Sequence, residues 1–253
     1  MGARPAAGGG RWLEVSPERI GGWLAGFDKR HRVLRSRYAD VVTFEAADGA
    51  VAECHPPFPP IPPFPSVPPF PPVPPYPSVP PFPSIPPAQP VPTVAGDAGC
   101  EGLVADPLVR HVSRSRVVGV LLVRLGGHAA GVFEGERLVA SKVGSRLVQS
   151  RTAAGGWSQQ RFARRREGQA AKAAEAAAED AARVLLPRLS TLDAVVLGGE
   201  RRAVDAVGAD RRLAPVFALA TPRFLTTPDP KLAVLQATPR QFRAVQIRLV
   251  EPA

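Results

Sequence analysis

Apolar residues recur at steps of three and four in two stretches of the chain, the spacing of one packed helix face. The first stretch follows Ser16 and Pro17, which suit the N-cap and the first position of a helix. The second predicts a helix from about 158 to 186, ended by Pro187. The apolar positions are Ile20, Trp23, Leu24 and Phe27 in the first stretch, and Phe162, Ala170, Ala173, Ala177, Ala181 and Leu185 in the second.

Continuous or alternating apolar runs predict the strands. The run at 117–125 is nearly all apolar, as in a buried central strand. The segments 129–133 and 137–143 follow it across short glycine-containing turns, so a three-stranded meander is expected. Further strands are expected at 41–44, 192–197, 216–219 and 242–250, and short helices at 200–207 and 228–237. Strands that alternate with helices after a meander predict an α/β fold, with a mixed β-sheet flanked by helices.

A six-residue repeat of the type Pro-Pro-Phe-Pro-Ser-Val interrupts this pattern. The segment 56–92 holds 21 of the 31 prolines, and proline lacks the backbone donor that a sheet interior needs. In polyproline II, with three residues per turn, every third residue lies on one ridge. That ridge consists of Phe58, Ile61, Phe64, Val67, Phe70, Val73, Tyr76, Val79, Phe82 and Ile85. We expect a long polyproline insertion that is exposed, extended or disordered, and that interrupts the domain between two strands.

Two interpretations of the repeat remain open. The ridge can be a docking element for a partner with an aromatic-lined groove. Alternatively, the repeat has expanded inside a surface loop that tolerates length, since loop length costs little free energy. The sequence thus divides into a flexible N-terminal tail at 1–11, the first part of the α/β domain at 12–55, the insertion at 56–92, and the main part of the α/β domain at 93–253.

Charge suggests the class of partner. The net charge is +10 and the pI about 10.8, and arginine supplies nearly all of the excess. Such an excess of basic residues favours nucleic acid or an anionic surface as the binding partner, and arginine suits bidentate phosphate contacts. High Ala, Arg, Gly and Pro usage is equally typical of a GC-rich genome. Composition alone therefore does not decide whether the arginines reflect an anionic partner or the base composition of the genome.

The sequence indicates a cytoplasmic protein without a metal or cofactor. Cys54 and Cys100 form no Cys-x-x-Cys pair, and no nearby histidines complete a zinc set. Two thiols without a disulfide framework fit a reducing cytosol. The first ten residues lack the apolar core of a signal peptide, and no window reaches the ~18 apolar residues of a membrane span.

The start of the long helix conflicts with the helix dipole. A helix N-terminus is partially positive, so basic residues there cost roughly 0.3–1 kcal/mol each. Arg161, Arg164, Arg165 and Arg166 nevertheless precede every acid of this helix, while Glu175, Glu179 and Asp180 lie in its middle. Local conflicts of this kind concentrate at functional sites. The alternatives are a solvated basic face and a surface that meets a polyanion.

The loop before these arginines offers amides and backbone rather than acid–base groups. Between Ser145 and Arg166 there is no Asp, Glu, His, Lys or Cys. Gly155 and Gly156 allow close backbone approach, and Gln159 and Gln160 add side-chain amides at a helix start. Such groups can orient a water molecule and stabilise an oxyanion, but proton transfer must come from the substrate or a larger partner.

The block Gly155-Gly-Trp-Ser-Gln-Gln-Arg-Phe-Ala-Arg-Arg-Arg166 resembles the catalytic loop of eukaryotic and archaeal class I release factors. That loop reads Gly-Gly-Gln-Ser, two variable residues, then Arg-Phe-Ala/Glu-Arg. The family's glutamine falls on Trp157, so the Gly-Gly-Gln triplet itself is missing here. The variant more closely resembles the Vms-like release factors (VLRF) of ribosome quality control, of an actinobacterial type, in which a glutamine lies slightly further on. Gln159 is the nearest match, and Gln160 is one residue away.

This resemblance implies a release-factor-like catalytic domain and hydrolysis of the ester between a nascent peptide and tRNA in stalled ribosomal complexes. It implies three partners, the large ribosomal subunit, peptidyl-tRNA and ribosomal RNA, and no cofactor. The expected catalytic residues are Gln159, Gln160, Gly155 and Gly156. The expected RNA-binding residues are Trp157, Ser158, Arg161, Arg164, Arg165, Arg166, Lys142, Arg146 and Arg151. The alternatives are a non-catalytic RNA-binding module that uses the same basic loop, and a scaffold whose active part is the polyproline ridge.

Overall fold

The computed structural model describes residues 4–7, 9–59, 99–124, 126–145 and 158–252, with backbone only at 99–101 and 158–167. The strands are β1 Arg4–Pro5, β2 Arg11–Val15, β3 Val33–Arg37, β4 Val42–Ala46, β5 Val51–His55, β6 Gly99–Glu101, β7 Val117–Arg124, β8 Gly127–Glu134, β9 Arg137–Ser145, β10 Ala194–Gly199, β11 Ala220–Leu225 and β12 Val245–Val250. The helices are α1 Pro17–His31, α2 Asp106–Ser113, α3 Ser158–Leu185, α4 Arg201–Gly208, α5 Ala214–Ala218, α6 Leu232–Ala237 and α7 Pro239–Phe242.

One sheet is antiparallel and joins the two ends of the chain. Its strand order is β1-β2-β12-β5-β4-β3-β6, so the last strand lies between the second and the fifth. Helices α1 and α2 cover one face, where Ile20, Leu24 and Phe27 pack with Phe44 and Ile247. Alternate residues of the strands lie on the opposite face, where Trp12 contacts His55.

The other sheet is mixed, with the order β11-β10-β7-β8-β9. Strands β7, β8 and β9 form an antiparallel meander, and β10 runs parallel to both β7 and β11. Helix α3 covers one face of this sheet. On the opposite face, Leu235 of α6 and Phe242 of α7 pack against Phe133 and its neighbours. Both faces of β7 and β8 are therefore buried, which is why their sequences are nearly all apolar.

The fold class is confirmed, since mixed sheet and flanking helices are both present. The meander and the long helix also lie where the spacing predicts them. The segment 216–219 was expected to be a strand, but it falls in α5 and the residue after it, because Pro215 starts a helix there. The helix expected at 228–237 is confined to Leu232–Ala237. Ser16 occupies the N-cap of α1, but its side chain makes no capping hydrogen bond.

Two predicted segments have a different local structure from the one expected. Within the predicted tail, Arg4–Pro5 pair with β2 as an edge strand. The proline-rich block follows β5, and its residues from 60 onward lie outside the described residues. The prediction that the block is exposed is wrong for its first residues, since Pro56 and Pro57 are buried and Phe58 is half-buried against the mixed-sheet core. These residues pack because they follow directly from a sheet strand into the space beside Phe242.

Candidate functional site

The candidate catalytic loop joins β9 to α3. Strand β9 ends at Ser145, and α3 begins at Ser158. Five predicted site residues lie outside the described residues, namely Arg146, Arg151, Gly155, Gly156 and Trp157. The loop therefore connects the edge strand of the mixed sheet to the helix that covers one face of that sheet.

The remaining loop residues begin α3. The backbone from Ser158 to Arg166 is helical, and the side chains of Ser158, Gln159, Gln160, Arg161, Arg164, Arg165 and Arg166 lie outside the described part of the structure. Backbone N–H groups in the first turn of a helix have no partner within the helix. With 3.6 residues per turn, neighbouring residues point about 100° apart around the axis. The backbone positions of Gln159 and Gln160 are therefore about 100° apart around the axis of α3.

Helix α3 is held by its C-terminal half. Ala177, Ala181 and Leu185 are almost completely buried against β7 and β8. Residues 168–176 are half-buried or exposed. At 1.5 Å per residue, Ser158 lies ~28 Å along the axis from Ala177. The start of the helix thus lies several turns from the part that packs on the sheet.

A buried His–Asp pair fixes the position of α3 on the sheet. His128, at the start of β8, is 5% exposed, and its Nε2 lies 3.0 Å from Oδ2 of Asp180 on α3. Gly144 is the register partner of His128 on β9, and a Cβ there would lie 2.5 Å from the imidazole. Sequence reasoning missed this pair, because only the strand register places a glycine opposite the ring.

Glu179 and Asp180, in the middle of α3, have structural partners. Glu179 pairs with Arg212 at 2.9 Å and with Arg183 at 3.5 Å. Asp180 also lies 3.7 Å from Arg183, beyond its contact with His128. These contacts explain why carboxylates lie at positions where the helix dipole offers them nothing. The side chains of the arginines before Glu167 lie outside the described part of the structure.

Lys142 is the one predicted RNA-binding residue whose side chain falls within the described part of the chain. It lies on the edge strand β9 and is exposed. Its register partner is Ala130, which packs on the face that α3 covers. Lys142 therefore lies on the same face of the sheet as the basic helix.

No described cluster of three or more His, Cys, Asp or Glu side chains could hold a metal ion. Cys54 lies in the core of the antiparallel sheet, where burial raises the pKa of its thiol. His55 lies on the opposite face of the same strand, so these two neighbours do not form a ligand pair. Within the described ranges, no helix has both the length and the apolar character needed to cross a membrane.

Comparisons with solved structures give distant likenesses. The archaeal translation termination factor aRF1 is 15% identical, with 59% of this chain and 44% of that chain covered and a TM-score of 0.37. Pelota from Archaeoglobus fulgidus is 9% identical, with 95% and 65% covered and a TM-score of 0.28. TM-scores of this size carry no argument, and this chain spans less than half the length of the aRF1 chain. No curated protein matches the sequence.

A family model gives a direct assignment. The model described as the Actinobacteria/chloroflexi VLRF1 release factor matches residues 116–248. The match begins just before β7 and continues through the meander, the loop, α3 and most of β12. It covers more than half of the 253 residues and confirms the resemblance that the loop suggests. The chain belongs to the actinobacterial and chloroflexi VLRF1 release-factor family.

Proposed function

We propose that the protein is a cytoplasmic peptidyl-tRNA hydrolase that releases nascent peptides from stalled ribosomal complexes. The observation that carries this proposal is the family match over 116–248, which includes the whole of the Gly155–Gln160 loop and the basic helix start. Its substrate is the ester between the nascent peptide and the terminal ribose of the tRNA. Its partners are the large ribosomal subunit, peptidyl-tRNA and ribosomal RNA.

The reaction is the hydrolysis of an ester by a positioned water. The water oxygen bonds to the carbonyl carbon of the peptide, and the bond from that carbon to the ribose oxygen breaks. The ribose oxygen ends with the proton, and the peptide leaves with a free carboxyl group. The loop has no acid–base side chain, so the terminal ribose handles the protons.

Each loop residue has a distinct task in this mechanism. Gly155 and Gly156 allow the backbone to approach where a Cβ would clash. Gln159 holds the attacking water through its amide, and Gln160 is the second candidate for this task. Backbone N–H groups in the first turn of α3 face the charge that develops on the carbonyl oxygen. Trp157 wedges against an RNA base or anchors the loop on the domain.

The packing of α3 supports this assignment. A catalytic amide must be held in place before the reaction if it is to stabilise the transition state. The buried stripe around Ala181 and the His128–Asp180 pair fix the C-terminal half of α3. A continuous helix from Ser158 to Leu185 transmits that fixed direction to its first turn. Arg161, Arg164, Arg165 and Arg166, helped by Lys142, Arg146 and Arg151, contact RNA phosphates and bring the loop to the ester.

The test is peptide release from stalled ribosomal complexes that carry labelled peptidyl-tRNA. Gln159→Ala should lose about 10²–10³ in rate, the cost of removing one preorganised donor, while it still binds the ribosome. Gln236→Ala is the matched control, because Gln236 is an exposed helical glutamine on α6. Release by this control should equal that of the parent.

The double variant Gln159→Ala/Gln160→Ala decides between catalysis and simple binding. If both single variants and the double variant release peptide at the parental rate, the catalytic assignment is wrong. In that case the protein is an RNA-binding module that uses the same basic loop, since phosphate contacts need the arginines and not the glutamines.

A further inference from the structure

The first unit of the proline-rich repeat is held at the junction between the two sheets. Phe58 packs beside Phe242, with ring centroids 6.4 Å apart and planes inclined by 66°. The guanidinium carbon of Arg116 lies 4.9 Å from the centroid of the Phe58 ring. His111 Nε2 lies 2.6 Å from the carbonyl oxygen of Phe58 and donates to it, because a carbonyl only accepts. We call His111, Arg116 and Phe242 the junction clamp.

The junction clamp is rigidly built from both halves of the molecule. His111 belongs to α2 of the antiparallel-sheet half, and Arg116 directly precedes β7 of the mixed sheet. Arg116 Nη1 donates to the carbonyl oxygens of His111 and Arg114 at 2.9 and 3.2 Å, which holds the guanidinium over the ring. Phe242 is 1% exposed and packs edge-on against Phe133. Each clamp residue is therefore positioned by contacts of its own.

The clamp contacts features that five units of the repeat share. It contacts an aromatic ring and the carbonyl of the same residue, within the sequence Pro-Pro-Phe-Pro. Prolines on both sides preset an extended backbone, so an incoming unit loses little conformational freedom. A cavity of about 90 Å³ borders the Phe58 ring, which leaves room for the hydroxyl of a tyrosine. The same arrangement, Pro-Pro-aromatic-Pro, recurs around Phe64, Phe70, Tyr76 and Phe82.

We propose that the junction clamp is a binding site for Pro-Pro-aromatic-Pro peptide, and that the later repeat units of this chain are ligands for it in place of Phe58. The site is separate from the candidate catalytic loop, and the proposal is independent of peptide release. Exchange between units changes loop lengths on either side of the clamp, which costs little free energy. One chain thus carries a single clamp and five units that fit it.

The test uses the full chain and the ionisation of His111 as a local reporter. Burial lowers the pKa of His111, the hydrogen bond to the Phe58 carbonyl raises it, and the nearby charges of Arg116 and Arg114 lower it. Since the unit in the clamp supplies that hydrogen bond, the pKa of His111, followed by NMR titration, reports whether the clamp is filled. Phe58→Ala should leave the pKa of His111 at its parental value, because another unit takes the vacated place. Replacing Phe58, Phe64, Phe70, Tyr76 and Phe82 together by Ala should move it away from that value.

A synthetic peptide of residues 62–67, Pro-Pro-Phe-Pro-Ser-Val, provides the second measurement. Added to the fivefold variant, it should return the pKa of His111 to the parental value, and Pro-Pro-Ala-Pro-Ser-Val should not. The proposal is overturned if Phe58→Ala alone moves the pKa of His111 away from its parental value, since no later unit has then replaced Phe58. It is equally overturned if the phenylalanine peptide has no effect. Because the single variant keeps four aromatic units, it decides the question even if the fivefold variant fails to fold.

Discussion

The two ends of α3 differ in what holds them. The C-terminal half buries Ala177, Ala181 and Leu185 against the sheet, and its acids pair with His128, Arg183 and Arg212. The N-terminal end carries four arginines before the first acid and begins ~28 Å before the first fully packed residue. One continuous helix thus combines an end built for stability with an end whose charges oppose stability.

This difference separates the residues of α3 that stabilise the fold from the residues that the proposed function uses. Packing and paired charges in the C-terminal half follow the ordinary rules of a stable helix. The first turns break the rule for charges at a helix start, and the Gly155–Gln160 motif directly precedes them, within the residues that the family model matches. Substitutions at the two ends should therefore affect different properties. Release and RNA binding should respond to the start of the helix, and folding should respond to its end.

The largest expected effect is on the rate of peptide release, and it compares two glycines. Gly156→Ala should reduce release by about 10²–10³, as for the removal of a preorganised donor, because a Cβ displaces the loop backbone. Gly168→Ala makes the same change inside α3, where an added Cβ meets nothing within 4 Å. The second variant should keep the parental release rate and gain roughly 0.5–1 kcal/mol of stability. Equal release by both variants would contradict the role of the loop.

The next effect is on folding and tests the packed end. Leu185 is completely buried, so Leu185→Ala should lower the free energy of unfolding by about 2–5 kcal/mol. Leu34 is 53% exposed, and Leu34→Ala should change the free energy of unfolding by less than about 0.5 kcal/mol. Urea unfolding measures both. A small effect at Leu185 would mean that the contacts of α3 with the sheet do not hold the helix.

A smaller effect is expected on the salt dependence of RNA binding. Replacing Arg164, Arg165 and Arg166 by Ala should reduce the slope of log affinity against log salt by about 0.7–0.9 for each phosphate that is no longer neutralised. The matched control removes three charges from α1 through Arg19, Lys29 and Arg30, all exposed. Ribosome binding measured over a range of salt should show a changed slope for the first set alone. An unchanged slope for the first set would rule out these arginines as phosphate ligands.

The smallest effect distinguishes two neighbouring acids of α3. Glu179→Ala removes ion pairs whose partners are both more than half exposed, so it should cost at most about 1 kcal/mol. Asp180→Ala removes the partner of the buried His128 and should cost about 1–3 kcal/mol. Urea unfolding compares the two. If Glu179→Ala lowered the free energy of unfolding more than Asp180→Ala, the His128–Asp180 pair would not be what fixes α3.

Elements with a long, strong pattern could be predicted from the sequence, and so could the short elements β4, β10 and α4, but other short elements could not. The apolar run at 117–125 and the stripe along α3 extend over many residues, so their periods are unambiguous. Strands β2, β3 and β5 have only five residues each, and α2 has eight. Their alternation is too short to identify without their neighbours. The prediction for 216–219 is wrong for the same reason, since four apolar residues suit a strand or a helix equally.

In the candidate site too, the sequence reveals local features but not contacts between distant residues. Motif residues from Gly155 to Arg166 are visible in the sequence because they are contiguous. The His128–Asp180 pair and the contact of His111 with Phe58 join residues that are 52 and 53 positions apart in the chain. No local pattern marks such contacts, because they depend on strand register and on the path of the chain between the two sheets.

Local spacing is enough to establish the meander, the long helix with its basic start, the loop motif and the repeat. The position of β12 between β2 and β5 depends instead on the folded chain, since hydrogen bonds between distant strands leave no local periodicity. The same is true of the start of the repeat, where Pro56 and Pro57 are buried and the half-buried Phe58 packs against Phe242. The physical reason is the same for both. The period of the apolar residues depends on the local secondary structure, whereas burial depends on which distant segments of the chain pack together.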